Sequence, residues 1–399
     1  MWLYVLLVRI AALFNAKARK LAEGERKALT FLSEKIDRNC NYIWFHAASV
    51  GEFEQARPVI ERLRSDLVKS GDVRTKILLT FFSPSGYELR KNYEGADIVC
   101  YLPFATRRNV RRFLDIVRPA KAVFVKYEYW PAYLHELKRR GISTYIISAI
   151  FRPSQLFFKW YGVWYRKLLD CFTTLFVQDS ESDVLLGQYG IHNVVVAGDT
   201  RFDRVTQIAQ QAKENHLIAA FRPDLICGST WQPDENLLIK YFHERGSIRM
   251  LVVPHELDKS HLDRLRQELG EEAVFYTEAT EHRVISSRCL VLDTIGMLSS
   301  AYRYGRAAYI GGGFGVGIHN TLEAATYSMP VVFGPNYHKF REACDLIDCG
   351  GGFSVGNYEE LKNILDRLLA DSKVAGEKAG KYVNSHRGAT DIIYNRIFK

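Results

Sequence analysis

Two carboxylates and one glycine-rich loop carry the chemistry for which this sequence can be read. Glu52 closes the tetrapeptide SVGE after the apolar run NYIWFHA, and Glu128 stands in YEYWP after AKAVFVKY. A carboxylate that follows a buried strand, in the first turn of a helix capped by Ser49 or Gly51, is either a partner of the helix dipole or a general base for a hydroxyl. Glu128 precedes a helix begun by Pro131 and is the second candidate; two carboxylates at one site would supply a base and a group that orients it. The third feature is IGGGFGVGIHNTLEAA, Ile310 to Ala325. Its glycines, among them Gly312, Gly313 and Gly315, lack the G-x-G-x-x-G spacing of a dinucleotide fold and come far from the first strand. Glycine lets backbone N–H groups approach a ligand closely, and a helix whose first turn holds Asn320 and Thr321 adds unpaired N–H groups, a combination that suits a phosphate. Without a ligand the same stretch is a tight strand-to-helix turn. Glu323 is placed to accept hydrogen bonds from two ribose hydroxyls, and Ser229 and Thr230 in GSTW offer donors at another strand end. Pro254 and His255 end a further strand, the histidine being either a contact or a satisfied loop residue.

The elements that position these groups alternate in type. NYIWFHA, TKILLTFF, ADIVCYL, AKAVFVKY, STYIISA, TLFVQ and NVVVAG read as strands, each followed by an amphipathic stretch. After the polar helix DRVTQIAQQAKENHLIAAF a second series follows: DLICGS, RMLVVP, RCLVLD, RAAYIGGG and MPVVFG. The pattern predicts an α/β protein of two doubly wound domains. The expected divisions are a membrane-associated helix over 1–20, an acceptor-side domain over 21–208, a linker over 209–222, a donor-side domain over 223–375, and a C-terminal helix over 376–399 that returns to the first domain. Ligands in such sheets sit beyond the carboxyl ends of the strands, so both rows of loops are expected to face a cleft between the domains.

Composition narrows the partners. The 399 residues are 47% hydrophobic and 25% charged, which describes a folded chain, and the net charge of +9 favours an anionic partner: nucleic acid, an acidic membrane or a phosphorylated substrate. Seven cysteines are scattered with no C-x-x-C pair, which predicts reduced thiols, a cytoplasmic setting and no zinc site; H-E-x-x-H is absent as well. The N-terminal MWLYVLLVRIAALFNAKARK is short for a span, and its basic residues follow the apolar run, unlike those of a cleaved signal. It reads as an interfacial helix presenting Trp2, Leu3, Leu6, Leu7, Ile10, Leu13 and Phe14 to lipid, or as a first helix packed on the protein's own core. FRPSQLFFKWYGVWYRKLL interleaves aromatics with Arg152, Lys159, Arg166 and Lys167, a composition that suits phospholipid, an amphipathic acceptor, single-stranded nucleic acid or a partly buried helix.

Taken together, HAASVGE, SPSGYE, YLPFATRRNVRRFLDIVRP, EYWP, AGDTRFDR, GSTWQPDE, LDTIGML, GGGFGVGIHNTLEAA and FGPNYHKF, in this order, resemble the Kdo transferases, which attach 3-deoxy-D-manno-octulosonic acid to a lipid A precursor. The resemblance runs through roughly residues 40 to 350. It implies the glycosyltransferase B-type fold, CMP-Kdo as donor, inversion of the anomeric centre, no metal or other cofactor, no nucleic-acid partner, and work at the cytoplasmic face of the bacterial inner membrane on its anionic surface. Glu52 then looks like the catalytic base and Glu128 like a second essential acid. Asn320 and Glu323 look like CMP contacts, with Ser229, Thr230, Pro254, His255, Gly312, Gly313, Gly315 and Thr321 on the donor side. Ser49, Gly51, Ser83, Ser85, Gly86 and Arg201 fall on the acceptor side. Three departures stand out. VPHELDKSH replaces a PRHPER-like segment and lacks its arginine, so Lys259 or Arg201 must supply the charge; Arg201 replaces a common lysine; and Met297 stands where a glutamate is common. The rival readings are a two-domain transferase using a UDP-sugar and a basic membrane- or nucleic-acid-binding module.

Overall fold

The computed structural model describes Val8 and residues 10–399, so Trp2, Leu3, Leu6 and Leu7 of the expected interfacial helix lie outside the described residues. The chain forms two compact units, residues 1–204 with 387–399, and residues 205–386. Each is built on a seven-stranded sheet in which every pairing is parallel.

In the first unit β1 (Asn41–Ala47), β2 (Thr75–Phe81), β3 (Ile98–Tyr101), β4 (Pro119–Val125), β5 (Ser143–Ala149), β6 (Thr174–Val177) and β7 (Val194–Val196) are ordered β3-β2-β1-β4-β5-β6-β7. Strand β1 reads as a continuous apolar run because both of its faces are covered. Tyr42 and Trp44 enter one core with Phe113, Phe124 and Tyr133, while Ile43, Phe45 and Ala47 enter the other with Phe53, Val59 and Ile60. Burial of each such large side chain contributes about 2 kcal/mol. The helix Val50–Ser70 supplies the second face; Ser49 caps its start and Gly71, at φ 68°, ends it. The helix Ala389–Phe398 packs on that face through Ile393, Tyr394 and Ile397.

The second unit contains β8 (Leu225–Thr230), β9 (Met250–Pro254), β10 (Ala273–Phe275), β11 (Cys289–Val291), β12 (Ala307–Ile310), β13 (Val331–Phe333) and β14 (Gly352–Ser354), ordered β10-β11-β9-β8-β12-β13-β14. Three expected boundaries meet different structure. Asn15 caps a helix that runs Ala16–Lys35, across position 20. Residues 209–222 hold the end of the helix Thr200–Gln211 and the helix His216–Phe221, whose Ile218 and Phe221 are buried. Residues 376–399 form two helices, Lys373–Ser385 in the second unit and Ala389–Phe398 in the first; a turn with Gly388 at φ 108° separates them.

Candidate functional site

In both sheets the strand order reverses between two neighbours, β1 and β4 in one and β8 and β12 in the other, the place where open α/β sheets bind ligands. The candidate residues lie in loops beyond the strand ends.

In the first unit Glu52 occupies the first turn of Val50–Ser70, where the Ser49 hydroxyl accepts from its N–H at 3.5 Å. Its Oε2 accepts from the Ala48 N–H at 2.6 Å, which holds the carboxylate at the mouth of β1. Burial, and after it the charge of Glu128, raise the Glu52 pKa above the ordinary carboxylate value, while the Ala48 hydrogen bond, His46 and Lys126 pull the other way. Glu128 is 9% exposed. It accepts from Trp130 Nε1 and lies 3.1 Å from Nε2 of His46, a fully buried ring whose Nδ1 faces Thr80 Oγ1 at 2.9 Å. Trp44 Nε1 donates to the same threonine hydroxyl at 2.8 Å. A chain of hydrogen bonds therefore fixes Glu128 from beneath, while Glu52 stays partly open. Such a pair can take a proton from a hydroxyl.

The remaining first-unit candidates divide. Ser83 caps the helix Pro84–Arg90, its hydroxyl 2.6 Å from that of Ser85, and Gly86 leaves no room for a side chain because a Cβ would lie 2.6 Å from the Phe81 ring. These three are tied to the Glu52 loop by the Ser83 N–H, which donates to Ala48 O at 2.8 Å. Gly51 is exposed with open space at its Cα. Arg201 forms a two-nitrogen pair with Asp199, at 2.8 and 2.7 Å, and Gln55 donates to the same carboxylate.

In the second unit the glycine loop follows β12 directly. A Cβ on Gly311 would sit 2.2 Å from Ser229 O, and Gly312, at φ 91°, would place one 2.4 Å from Gly317 O, so both positions require glycine. The loop is anchored by Asp234, which is fully buried and accepts from the Gly312 N–H at 2.9 Å, the Tyr309 hydroxyl at 2.8 Å and the Trp231 N–H at 3.0 Å. Burial raises its pKa and those bonds lower it. Thr230 is buried, its hydroxyl donating to Glu235 at 2.8 Å, and its carbonyl accepts from the His255 N–H at 2.9 Å; Ser229 beside it adopts φ 53°. Three rings from the loops after β8, β9 and β12 stack: Trp231 on His255 at 4.6 Å and His255 on His319 at 4.3 Å. Trp231 Nε1 donates to His319 Nε2 at 3.0 Å, which puts the proton of a neutral His319 on Nδ1. Burial, and secondarily His255, lower the His319 pKa to about 4.

Thr321 stands at the N-cap of the short helix Leu322–Ala325, with Asn320 just before it. Asn320 Oδ1 accepts the Leu322 N–H at 3.1 Å, and the Glu323 carboxylate accepts from Asn320 Nδ2 and from the Ser299 hydroxyl. The Asn320 and Glu323 side chains thus bond within the loop, while the buried Thr321 hydroxyl has no partner among the described residues. Sequence reasoning singled out neither His46 nor Asp234; each lay in a quoted motif, but its partners are 82 and 78 residues away. Among the described residues no group of three or more His, Cys, Asp or Glu is placed to hold a metal ion.

Residues 21–204 match the family model of 3-deoxy-D-manno-octulosonic-acid transferase (kdotransferase). The chain is 27% identical over 353 residues to the 3-deoxy-D-manno-octulosonic acid transferase of Aquifex aeolicus, covering 86% of this chain and 90% of that protein. It is 25% identical over 374 residues to the enzyme of the same name from Bordetella pertussis, covering 87% and 85%. Among solved structures it is similar to a UDP-GlcNAc 2-epimerase from Neisseria meningitidis, with a TM-score of 0.62 and 15% identity over 89% of this chain and 98% of that one. These matches, with the two parallel sheets, show a glycosyltransferase B-type fold and an enzyme of the glycosyltransferase kind related to the Kdo transferases.

Proposed function

We propose that this glycosyltransferase moves Kdo from CMP-Kdo to a lipid A precursor, with inversion, without a metal or other cofactor, at the cytoplasmic face of the bacterial inner membrane. The observation that carries the reading is the Glu52 carboxyl, its pKa raised by burial and by Glu128, held on the Ala48 N–H beside the β1–β4 switch point. Glu52 takes the proton of an acceptor hydroxyl as its oxygen forms a bond to the anomeric carbon of Kdo. The bond from that carbon to the CMP phosphate oxygen breaks, and its electrons leave with CMP. A single displacement of this kind inverts the centre. The phosphate charge is met at the glycine loop that Asp234 anchors, and the ring stack ending at His255 offers a flat face to the base. Arg201 is engaged by Asp199, so Lys259, exposed at the start of the helix Lys259–Leu269, is the cation assigned beside the phosphate.

The membrane setting is supported by exposed aromatics. Trp160 is 89% exposed, with Tyr161 and Trp164 at 60%, in a segment that also carries Lys159, Arg166 and Lys167; Phe14 is 87% exposed. Such a mixture suits a lipid headgroup region. No described helix is long and apolar enough to cross a membrane. Incubation of purified protein with CMP-Kdo and a tetraacylated disaccharide lipid A precursor, followed by mass measurement, tests the proposal. A product heavier by Kdo is expected, and an unchanged acceptor refutes it. Tighter binding of UDP than of CMP would favour the UDP-sugar reading instead.

A further inference from the structure

Thr80 touches none of the reacting groups described above, yet its hydroxyl stands at the foot of the hydrogen-bond chain that ends at Glu128. It is a fully buried polar residue of β2, in register with His46 of β1. The His46 ring is itself fully buried, among the rings of Phe124 at 5.8 Å, Trp130 at 6.2 Å and Trp44 at 6.4 Å. Its partners among the described residues are therefore decisive. Nδ1 has the Thr80 hydroxyl at 2.9 Å and the Thr80 carbonyl oxygen at 3.1 Å, and Nε2 has Glu128 Oε2 at 3.1 Å.

The protons can be assigned from these contacts. A hydroxyl has one proton to give, and a neutral imidazole has one N–H and one acceptor nitrogen. Trp44 Nε1, which only donates, fills a lone pair of Thr80 Oγ1 at 2.8 Å and leaves the hydroxyl proton to point elsewhere. His46 Nδ1 at 2.9 Å is a closer acceptor for it than Phe45 O at 3.4 Å. With Nδ1 accepting, the imidazole proton sits on Nε2 and is donated to Glu128. Oε2 of Glu128 also accepts from Trp130 Nε1, which suits an ionised carboxylate oxygen and not the hydroxyl of a neutral carboxyl.

We propose that Thr80 is a positioning residue for the transfer reaction: by donating to His46 Nδ1 it selects the tautomer whose Nε2 proton holds Glu128 as an anion in the site. The inference rests on Glu52 acting as the base in the function proposed above. Burial and the Glu128 charge raise the Glu52 pKa, while the Ala48 N–H, His46 and Lys126 lower it. Without the Thr80 hydroxyl, Nδ1 is left facing a carbonyl oxygen, which only accepts, and the ring must place a proton there. Nε2 then either turns a lone pair toward Glu128, which takes up a proton, or keeps its own proton as part of an imidazolium. By both routes the His46–Glu128 pair binds one more proton and loses its net negative charge, so Glu52 becomes a weaker base.

The test compares Thr80→Val, which keeps the shape and removes the hydroxyl, with Thr80→Ser, which keeps the hydroxyl. The first readout is NMR of the full chain carrying 15N-histidine, with the His46 signals identified by their loss in His46→Gln. An unprotonated Nδ1 is expected in the unaltered protein and in Thr80→Ser, and a protonated Nδ1 in Thr80→Val. The second readout is the pH profile of Kdo transfer. Thr80→Ser should stay within about twofold of the unaltered protein. In Thr80→Val kcat on the plateau should fall about tenfold, as for the loss of one hydrogen bond to a charged group, with KM within about twofold, and the acidic limb should move to lower pH. Trp44→Phe removes the other bond to the hydroxyl and should lower stability without moving that limb. Combined with Thr80→Val it also removes the indole N–H that valine leaves unpaired, a second route should the valine variant fold poorly. A protonated Nδ1 in the unaltered protein, or pH profiles of Thr80→Val and Thr80→Ser that superimpose, overturns the role of Thr80. No transfer by the unaltered protein overturns the transfer reading itself, and the tautomer measurement, which needs no substrate, still decides whether Thr80 sets the ring.

Discussion

Replacing Glu25 with glutamine should make the first unit more stable at neutral pH, by an amount set by proton linkage. The carboxyl is pushed up from 4.5 to about 9 by burial, so on folding at pH 7 it must take up a proton that the unfolded chain has released. Its contribution is therefore fully present below the unfolded value and is lost as pH rises from about 4.5 toward 9. At roughly 1.4 kcal/mol per pH unit, the uptake costs about 3 kcal/mol at pH 7. Glutamine has nearly the same shape and no proton to recover. The expected result is a gain of about 3 kcal/mol at pH 7 that shrinks to within about 1 kcal/mol near pH 4.5, read from urea unfolding followed by tryptophan fluorescence over a pH series. For a unit of this size such a gain corresponds to a rise in Tm of roughly 6–12 °C at pH 7. A difference between the two proteins that does not change with pH would refute the reasoning, because it would mean that the folded carboxyl ionises with its ordinary value.

Three substitutions and two pH measurements probe the two sites. Glu52→Gln retains an acceptor for the Ala48 N–H and should fold normally while transfer falls by at least about a hundredfold, as expected for the loss of a general base; retention of activity in a mass-based transfer assay would remove Glu52 from the chemistry. Because its raised pKa must be passed before the base is free, activity of the unaltered protein should climb with pH through a value above the ordinary carboxylate range. His46→Ala leaves Glu128 short of its buried partner and should cost about 2–3 kcal/mol in denaturant unfolding and reduce kcat, whereas an unchanged kcat would make the histidine purely structural. Gly312→Ala places a side chain against Gly317 O at φ 91° and should weaken CMP binding by about tenfold or more in calorimetry, with about 2 kcal/mol lost in stability. His319, brought down to about 4, should show no titration between pH 5 and 8 by NMR, and a midpoint in that range would mean that the ring is not buried beside His255 as described.

Several parts of the fold were legible because their determinants are local. Strands β1, β2, β4 and β5 are buried over most of their length on both faces and show it as apolar stretches of three or four residues, YIWF, ILL, AVFV and YII. Ser49, Gly71 and Pro131 mark helix ends by rules that need only adjacent residues. The two edge strands β10 (AVF) and β14 (GFS) are not among the runs read as strands from the sequence. The 209–222 segment looked like a linker because it is polar, yet Ile218 and Phe221 within it are buried.

The sequence by itself determined the two parallel sheets and the placement of Glu52, Glu128 and the glycine loop at strand ends, because strand burial, capping and glycine backbone freedom are properties of contiguous residues. Tertiary structure alone decided how those groups are held and charged. It set His46 against Glu128, buried Asp234 beneath Gly312, stacked Trp231, His255 and His319, and turned Glu25, one charge in the polar run AEGERK, into an unpaired neutral acid. Desolvation and hydrogen bonding depend on which distant segments close over a group, and no spacing along the chain records that.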